Sequence, residues 1–402
     1  MYEIGQEEID AVARVIRSGQ LFRFRGGEGG EADTFEARMR ELLGAKHFLS
    51  LTSGTAALIC GLAGLEIGPG DEVLVPAYTW LASPGAVLAV GAIPVLVECD
   101  ESLTMDPDDL ERRIGPRTRA IMPVHMVGRP CNMDRILAIA KQRGLKVIED
   151  ACQAVGGSYR GRRLTTLGDA GAFSFNQFKN IGCGEGGGLT TNDTAVYHRA
   201  LVHHDLGSTF RVLVKELEFP VFLGANYRFN EVLAAIMNAQ LTRLDGILGR
   251  LRARRDRFLE SLKPSAAFRP APSHDLAGDC GSNLALVFET AEERALFAAR
   301  VAEIDPQISV ISPIDTGLHV YTNWTPLLEQ RASAHPQTCA YHHPANQGCR
   351  TVTKDSCPRT LEILARTAYL PMDIKKDLAW FEHLAEVSNR AADRVAAPAG
   401  AR

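Results

Sequence analysis

The stretch FSFNQFKNIGCGEGG, residues 173–187, places one lysine between an apolar segment and a run of glycines. Residues 173–175 have the pattern of a short buried strand, which puts Ser174 and Lys179 at the same strand end. A lysine amine in such a position can bond covalently to an aldehyde. The glycines at 182–188 remove most side chains just after it, which predicts that the backbone there passes close to a bulky ligand.

The chain before this stretch alternates between strand-like and helix-like segments. The strand-like segments are residues 47–51, 72–75, 94–97, 120–124 and 145–148, and the helix-like ones are 55–65, 81–90 and 136–143. Such alternation predicts an α/β fold, with a mostly parallel sheet covered by helices on both faces. Ligands of such sheets bind beyond the carboxyl ends of the strands. The chemistry is therefore expected at residues 52–55, 76–80, 149–153 and 174–179.

Two short motifs follow the earlier strands. TSGTAAL, residues 52–58, places Gly54 and Thr55 at a helix start, where backbone N–H groups can bind an anion. A simple helix cap is the alternative interpretation of this motif. VPAYTW, residues 75–80, ends on Trp80, whose ring either lies against another planar ring or packs in the core.

VIEDACQAVGG, residues 147–157, brings acidic side chains to a strand end. Asp150 is costly to bury without a partner, and a protonated pyridine nitrogen is one such partner; a helix cap is the other interpretation. Gln153 follows it and can donate or accept a hydrogen bond nearby. A phosphate cradle, a ring-stacking aromatic, a carboxylate and a lysine, in this order at strand ends, are what pyridoxal 5′-phosphate requires.

The chain changes character after residue 230. Apolar residues at spacings of three and four predict one long helix over residues 230–262, which bridges to a smaller domain. In that domain, residues 283–288 are a strand candidate and residues 377–395 form a helix. We therefore expect a large domain over residues 1–240, followed by the bridging helix and a small C-terminal α+β domain over residues 241–402.

Composition limits the class of protein. The 402 residues are 46% hydrophobic and carry a formal net charge of −4, which allows a large core and lacks the basic excess of a nucleic-acid-binding protein. No apolar run is long enough to span a bilayer, and the first residues lack a signal-peptide pattern, so we expect a cytoplasmic protein without a membrane partner. The nine cysteines are expected to be reduced, and the His- and Cys-rich segment 335–357 lacks zinc-module spacing, so a loop without metal is expected.

Several pieces of the chain resemble the DegT–DnrJ–StrS family of keto-sugar aminotransferases, which have the fold-type I architecture of pyridoxal-phosphate-dependent transferases. The pieces are SGTAAL, GDEVLVPAYTW, GAIPVLVECD, RAIMPVHMVGRPCNMD, VIEDACQAVGG, FSFNQFKNIGCGEGG and GANYRFNEVLAAIMNAQL. The resemblance implies that Lys179 bonds to the cofactor and that Asp150 pairs with its pyridine nitrogen. The other implied cofactor contacts are Trp80 and Gln153 on the ring, and Gly54, Thr55, Ser174 and Asn226 of the partner subunit on the phosphate.

The resemblance also implies an activity and an assembly. The activity is transfer of an amino group from glutamate or glutamine to a keto sugar or keto-cyclitol, in antibiotic or surface-sugar biosynthesis. The assembly is a homodimer with two shared sites. Three alternatives are a dehydratase-like relative with histidine in place of the lysine, which Lys179 disfavours, a non-catalytic cofactor-binding regulator, and a dinucleotide enzyme. The last is disfavoured because no G-x-G-x-x-G follows the first strands.

Parts of the chain depart from the family pattern or allow two interpretations. NQF, residues 176–178, stands where the family often has His and Pro, and residues 318–351 match its C-terminal pattern poorly, so both segments are expected to influence substrate preference. His125, at a strand end, is either a substrate contact or a buried structural histidine. Arg23 and Arg25 either bind a substrate phosphate or belong to a Gly-rich surface loop.

Overall fold

The computed structural model describes residues 3–24, 29–208 and 217–396. Arg25, one of the two arginines considered for a substrate phosphate, lies outside these ranges. Across the described residues, every helix is too short or too polar to traverse a bilayer.

A seven-stranded sheet forms the centre of the first half of the chain. The strands of this half are β1 (His47–Leu51), β2 (Glu72–Pro76), β3 (Ile93–Val97), β4 (Thr118–Ile121), β5 (Lys146–Asp150), β6 (Ser158–Tyr159), β7 (Arg162–Arg163), β8 (Ala170–Ser174) and β9 (Gly187–Thr191). The order in the large sheet is β1-β9-β8-β5-β4-β2-β3, and β6 pairs with β7 in a separate hairpin. The pairs from β3 through β8 are parallel, whereas β9 is antiparallel to both β8 and β1. The prediction of a mostly parallel sheet is confirmed.

Helices cover both faces of this sheet. They are α1 (Gln6–Ser18), α2 (Glu31–Leu43), α3 (Gly54–Gly64), α4 (Ala82–Ala89), α5 (Pro107–Arg113), α6 (Met133–Arg143), α7 (Thr194–His204) and α8 (Glu231–Leu241). Strand side chains alternate between two cores. Leu74 and Val147 pack in the core that includes α2 and α6, whereas Val73 and Ile148 pack in the core that includes α3 and α7. Because both faces are buried, the strands are continuous apolar segments in the sequence.

A smaller α+β part follows α8, as predicted. Its elements are α9 (Leu244–Ser261), β10 (Phe268–Pro270), β11 (Asn283–Phe288), α10 (Ala291–Ile304), α11 (Thr325–Leu328), α12 (Pro358–Ala365), β12 (Thr367–Pro371) and α13 (Leu378–Ala396). The three strands form an antiparallel sheet in the order β10-β11-β12, and α13 packs against α9 and α10. The boundary at residue 240 stays a prediction.

One segment of the smaller part leaves it and packs on the large sheet. Residues 313–357, which we call the strap, consist of short helical turns. Trp324 in the strap is fully buried in a cluster with Ala77 and Leu96, which belong to the region of β2 and β3. The Trp324 indole N–H donates a hydrogen bond to the Leu318 carbonyl at 2.8 Å. The strap therefore joins the two parts of the chain.

The single helix predicted over residues 230–262 is wrong, because two helices, α8 and α9, replace it. At the break, the Thr242 N–H donates to the Ala239 carbonyl, and the Thr242 hydroxyl donates to the same oxygen. This tightening of the last turn ends α8. The side chain of Arg243 then pairs with Glu8 of α1. The apolar residues recur at spacings of three and four on both sides of the break, because each helix buries one apolar face.

The interpretation of the glycine run is also wrong for Gly187 and Gly188, which begin strand β9. A Cβ at Gly187 would lie 2.2 Å from the Ser53 carbonyl oxygen, and a Cβ at Gly188 would lie 2.2 Å from the Phe48 ring. These glycines are therefore required by the close approach of protein atoms and not by a ligand. Glycine has a low strand propensity, which is why the sequence pattern did not indicate β9.

We expect Gly188→Ala to lower the free energy of unfolding by at least about 1–3 kcal/mol, because its Cβ would force the buried Phe48 ring to move. Gly249→Ala is the matched control. Gly249 lies in α9, where a Cβ would meet nothing within 4 Å, so this change should stabilise by about 0.5–1 kcal/mol. Urea unfolding followed by circular dichroism measures both values. Equal stabilities of the two variants would contradict the close contact between β9 and Phe48.

Candidate active site

A cavity of about 640 Å³ opens beyond the carboxyl ends of β2, β5 and β8. Seven of the eight residues predicted to bind the cofactor line it: Gly54, Thr55, Trp80, Asp150, Gln153, Ser174 and Lys179. The opposite wall is formed by Ser282 and Asn283, beside and in β11, and by His319 of the strap. The volume lies in the range of pockets that hold small-molecule ligands.

The start of α3 forms one end of the cavity. Ser53 caps the helix, because its hydroxyl oxygen accepts a hydrogen bond from the Ala56 N–H at 3.0 Å. The N–H groups of Gly54 and Thr55 precede the first intrahelical hydrogen bond, so they are available to an anion. A Cβ at Gly54 would lie 2.6 Å from the Cys152 sulfur and 2.9 Å from the Ser174 Cβ. Only glycine lets the helix start approach the end of β8 so closely.

Asp150 ends β5 and is almost fully buried, yet its hydrogen-bond donors are neutral. The Ser83 hydroxyl donates to Oδ2 at 2.7 Å, and the Cys152 backbone N–H donates to Oδ1 at 3.0 Å. Within residues 3–24, 29–208 and 217–396, no side-chain cation forms an ion pair with this carboxylate. A buried carboxylate without a cation favours a positively charged ligand group on its cavity side.

Lys179 lies in the turn after β8. Its backbone N–H donates to the Asn176 carbonyl at 3.0 Å, and the Asn176 side chain donates to Glu185 at 2.9 Å, which shapes the turn. The Lys179 side chain is half-buried and lines the cavity. Among the described residues, its amine has no hydrogen bond or ion pair. An unpartnered amine and a carboxylate that lacks a cation thus face the same cavity.

Cys152 lies between these two groups and is not reactive. Burial and, next, the charge of Asp150 raise the pKa of the Cys152 thiol well above its ordinary value. The thiol is therefore neutral, and its contact with the start of α3 explains its presence.

A hydrogen bond to the cavity wall holds the Gln153 side chain in one orientation. Its Oε1 accepts a hydrogen bond from the Val127 N–H at 3.2 Å, which leaves its amide N–H₂ group for other partners. Val127 has a φ of 48°, an uncommon conformation for a β-branched residue. The Ser282 hydroxyl fixes the same turn by donating to the Val127 carbonyl at 2.8 Å. Hydrogen bonds from both parts of the chain thus hold Val127 in this strained backbone conformation.

Trp80 and His319 lie side by side at the cavity. The Trp80 ring is 46% exposed, so it is not a core residue, and its centroid is 5.0 Å from that of the His319 ring. The His319 Nδ1–H donates to the Thr316 carbonyl at 3.0 Å, which leaves the Nε2 lone pair free to accept. Burial lowers the pKa of His319, and nearby Lys179 lowers it further, so the ring is neutral at pH 7.

His125 is a structural residue and does not contact the cavity. It is fully buried, and its Nδ1 accepts a hydrogen bond from the Cys131 N–H at 3.1 Å. The proton is therefore on Nε2, which donates to Glu149 at 3.2 Å. Glu149 also accepts from three backbone N–H groups, those of Thr165, Leu167 and Gly168. This network fixes the strand that carries Asp150.

Three further features of the chain concern Arg23, possible metal ligands and the cysteines. Arg23 is buried against Glu36, with 2.6 Å between the charged atoms, and its contact with a substrate phosphate stays a prediction. The described residues contain no group of three or more His, Cys, Asp or Glu side chains that could hold a metal ion. Cys349 and Cys357 instead pack in the apolar cluster that joins the strap to the large sheet.

Asn226 is the one predicted cofactor contact that does not line the cavity. It is exposed, its backbone forms an isolated antiparallel bridge with Asp205, and its side-chain oxygen accepts a hydrogen bond from the Arg228 N–H at 3.4 Å. Its contact with the cofactor phosphate of a partner subunit stays a prediction.

Sequence reasoning missed three residues: Thr79, Ser83 and His319. Thr79 precedes Trp80 in the motif VPAYTW, and Ser83 lies three residues after Trp80. Nothing in the local sequence indicates that the Ser83 hydroxyl reaches Asp150 or that the Thr79 hydroxyl contacts Ser83. His319 lies in the segment expected to influence substrate preference, although no residue in it had been singled out. All three depend on contacts between distant parts of the chain.

Comparison with known proteins agrees with this geometry. The model of the DegT/DnrJ/EryC1/StrS aminotransferase family matches residues 2–304. A dTDP-3-amino-3,4,6-trideoxy-alpha-D-glucose transaminase of Streptomyces venezuelae is 40% identical over 264 residues, 65% of this chain and 67% of that protein. A dTDP-3-amino-3,6-dideoxy-alpha-D-galactopyranose transaminase of Aneurinibacillus thermoaerophilus is 38% identical over 323 residues, 79% of this chain and 85% of that protein.

A solved structure is similar over almost the whole chain. It is that of S. venezuelae DesV in complex with a ketimine intermediate, with 30% identity, a TM-score of 0.77 and coverage of 96% of this chain and 95% of that one. The fold is therefore that of fold-type I aminotransferases, and the alternative of a dinucleotide enzyme is wrong. Because the family model spans most of the sequence and includes every strand of the large sheet, the chain belongs to the DegT/DnrJ/EryC1/StrS aminotransferase family.

Proposed function

We propose that this protein is a cytoplasmic, homodimeric aminotransferase that uses pyridoxal 5′-phosphate to move an amino group from glutamate or glutamine to a keto sugar or keto-cyclitol. The observation that carries the proposal is the unpartnered Lys179 amine facing the same cavity as the buried Asp150 carboxylate, which lacks a cation among the described residues. The two transaminases that the chain resembles are named for amino-sugar products, and we propose the same class of product for this chain.

The lining residues suit this cofactor. Asp150 would pair with the protonated ring nitrogen, and Trp80 and Gln153 would contact the ring. The backbone N–H groups of Gly54 and Thr55, with the Ser174 hydroxyl, would hold the phosphate, as the helix start favours an anion. When bound, the cofactor supplies an aldehyde carbon that exchanges amines and a ring that accepts the electron pair of a broken C–H bond.

Lys179 has two tasks in this proposal. Its Nζ would hold the aldehyde carbon of the cofactor covalently and would be released when the amine of the donor takes its place. The released Nζ then takes the proton from the α-carbon of glutamate or glutamine. In the second half of the reaction, the same nitrogen delivers a proton to the acceptor carbon that was the ketone. The half-buried position, without a competing ion pair in the described chain, leaves Nζ free for both tasks.

The acceptor side of the cavity favours a polyhydroxylated molecule. Ser282, Asn283 and the neutral His319 supply hydrogen-bonding groups there, and the Nε2 of His319 can accept from a hydroxyl. Among the described lining residues, Lys179 carries the only ammonium or guanidinium group. A neutral polar wall suits a sugar or cyclitol ring better than a strongly acidic acceptor.

Two other activities are alternatives for a chain of this fold, and the site disfavours both. A dehydratase-like enzyme is disfavoured because a lysine, and not a histidine, occupies position 179. A non-catalytic regulator has no need for an amine that is free to leave the cofactor and transfer a proton. The test of the proposed function is a panel of keto sugars, nucleotide-linked and free, and keto-cyclitols, incubated with the enzyme, cofactor and each donor. Mass spectrometry should detect an amine product and the keto acid from the donor; no amine from any acceptor would contradict it.

We expect Lys179→Ala to abolish the absorbance of lysine-bound cofactor and to reduce amino transfer by several orders of magnitude, because both the covalent link and the proton carrier are lost. The variant should still fold and bind the cofactor non-covalently. Lys141→Ala, an exposed change on α6, is the control and should leave both measurements unchanged. Near-normal transfer by Lys179→Ala would refute the assignment.

We expect each site to need Asn226 of the partner subunit. Differently tagged Lys179→Ala and Asn226→Ala chains should form a heterodimer with one intact site and one site that carries both lesions. Its specific activity should approach half that of the wild type and exceed that of either parent homodimer. If the sites were not shared, the heterodimer would have at most half the activity of the Asn226→Ala homodimer. Size-exclusion chromatography with light scattering checks that the species is a dimer.

We expect His319→Asn to raise the KM for the acceptor by about 3–10-fold, the usual effect of one lost hydrogen bond. Asparagine retains an N–H donor for the Thr316 carbonyl but removes the acceptor that Nε2 provides. The half-reaction with the amino donor alone should keep its rate. His383→Asn on α13 is the matched control, since that exposed histidine contacts Asp305 away from the cavity. An unchanged acceptor KM would show that His319 only packs against Trp80.

A further inference from the structure

Two buried hydroxyl groups form a short chain that ends on Asp150. The Ser83 hydroxyl lies 2.7 Å from Oδ2 of Asp150, and the Thr79 hydroxyl lies 2.7 Å from that of Ser83. Both side chains are 1% exposed, so water does not replace these contacts. The two residues belong to the segment between β2 and α4, which also carries Trp80.

The direction of the chain follows from the chemistry of the acceptor. A carboxylate accepts and does not donate, so Ser83 must give its proton to Asp150. The Ser83 oxygen is then free to accept, and Thr79 donates to it. Because each donor in such a chain polarises the next, the hydrogen bond from Ser83 is strengthened. On the other carboxylate oxygen, the Cys152 backbone N–H is the donor.

The strap fixes the position of the two hydroxyl groups. The Thr79 N–H donates to the His319 carbonyl at 3.0 Å, and the Leu81 N–H donates to the Leu318 carbonyl at 3.1 Å. Tyr78 also pairs with Val320 in an antiparallel bridge. The hydroxyl chain is therefore held from outside by a segment far away in the sequence. A local turn contributes as well, because the Ser83 N–H donates to the Trp80 carbonyl at 3.0 Å.

We propose that Ser83 is a positioning residue for Asp150, and that Thr79 sets the direction of its hydrogen bond. The inference rests on the proposed use of pyridoxal 5′-phosphate. In the described part of the chain, neutral donors alone compensate the charge of Asp150 on the protein side. The Ser83 hydroxyl occupies one lone pair of Oδ2, and the remaining lone pairs of the carboxylate would meet the protonated ring nitrogen. Without it, the carboxylate loses half of its donors and can rotate.

The test uses the full-length protein loaded with pyridoxal 5′-phosphate that is isotopically labelled at the ring nitrogen. Nitrogen NMR across a pH series measures the pH at which half of the ring nitrogen is protonated. For Ser83→Ala we expect this pH to fall by about one unit, equivalent to a tenfold loss of proton affinity. Thr79→Val, which has nearly the same shape without the hydroxyl, should shift it in the same direction by less. Ser83→Thr, which keeps a hydroxyl, should restore the wild-type value.

Ser388→Ala is the matched control, since Ser388 is also a fully buried serine and donates to a backbone carbonyl, that of Leu384, at 2.8 Å. It should cost stability in a thermal unfolding scan without moving the ring titration. A titration in Ser83→Ala identical to the wild type would overturn the inference, even if the variant were less stable. Should Ser83→Ala fail to fold, Thr79→Val decides, and an unchanged titration in that variant overturns it. Failure of the wild type to bind the cofactor would instead refute the proposed function.

Discussion

Asp150 is a carboxylate in the protein interior whose partners, across the described chain, are a hydroxyl and a backbone N–H. Burying a charge in this way has a large desolvation cost, which only close hydrogen bonds and a cationic ligand can offset. The surrounding structure is arranged to supply the protein side of that compensation. The backbone of β5 holds the residue in the sheet, and the His125–Glu149 network keeps the neighbouring strand positions fixed. Within the described chain no cation pairs directly with this carboxylate, and the Lys179 amine faces the same cavity without an ion pair.

The sheet explains why the other groups converge on the same place. Parallel strands end at one edge, so the segments after β2, β5 and β8 meet there without long loops. The start of α3 joins them because Gly54 permits contact with Ser174 and Cys152. The anion-binding backbone is thereby fixed at a helix start, the carboxylate at a strand end and the amine in a hydrogen-bonded turn just after a strand.

How much of the structure could be predicted from the sequence depends on how far apart in the chain the interacting residues lie. Strands β1 to β5 were predicted because two buried faces produce continuous apolar segments, and seven of the eight site residues line the cavity because they lie just past strand ends. Strand β9 was missed because it begins with glycines and exists only through its pairing with β1 and β8. The break between α8 and α9 depends on a hydroxyl bonded to one carbonyl. The roles of Ser83 and His319 come from contacts with residues far away in sequence, which no local pattern encodes.

The strap has a consequence for the order of events during protein synthesis. Segment 78–81 leaves the ribosome long before residues 318–320, which pair with it. Until those residues appear, Thr79 and Trp80 lack the backbone contacts that hold them at the cavity. A nascent chain that has completed the large sheet can therefore bury the apolar core beneath α3 and α7 while its ligand-binding wall is still open. Competence to bind the cofactor should arise late in translation, after most of the polypeptide has been made.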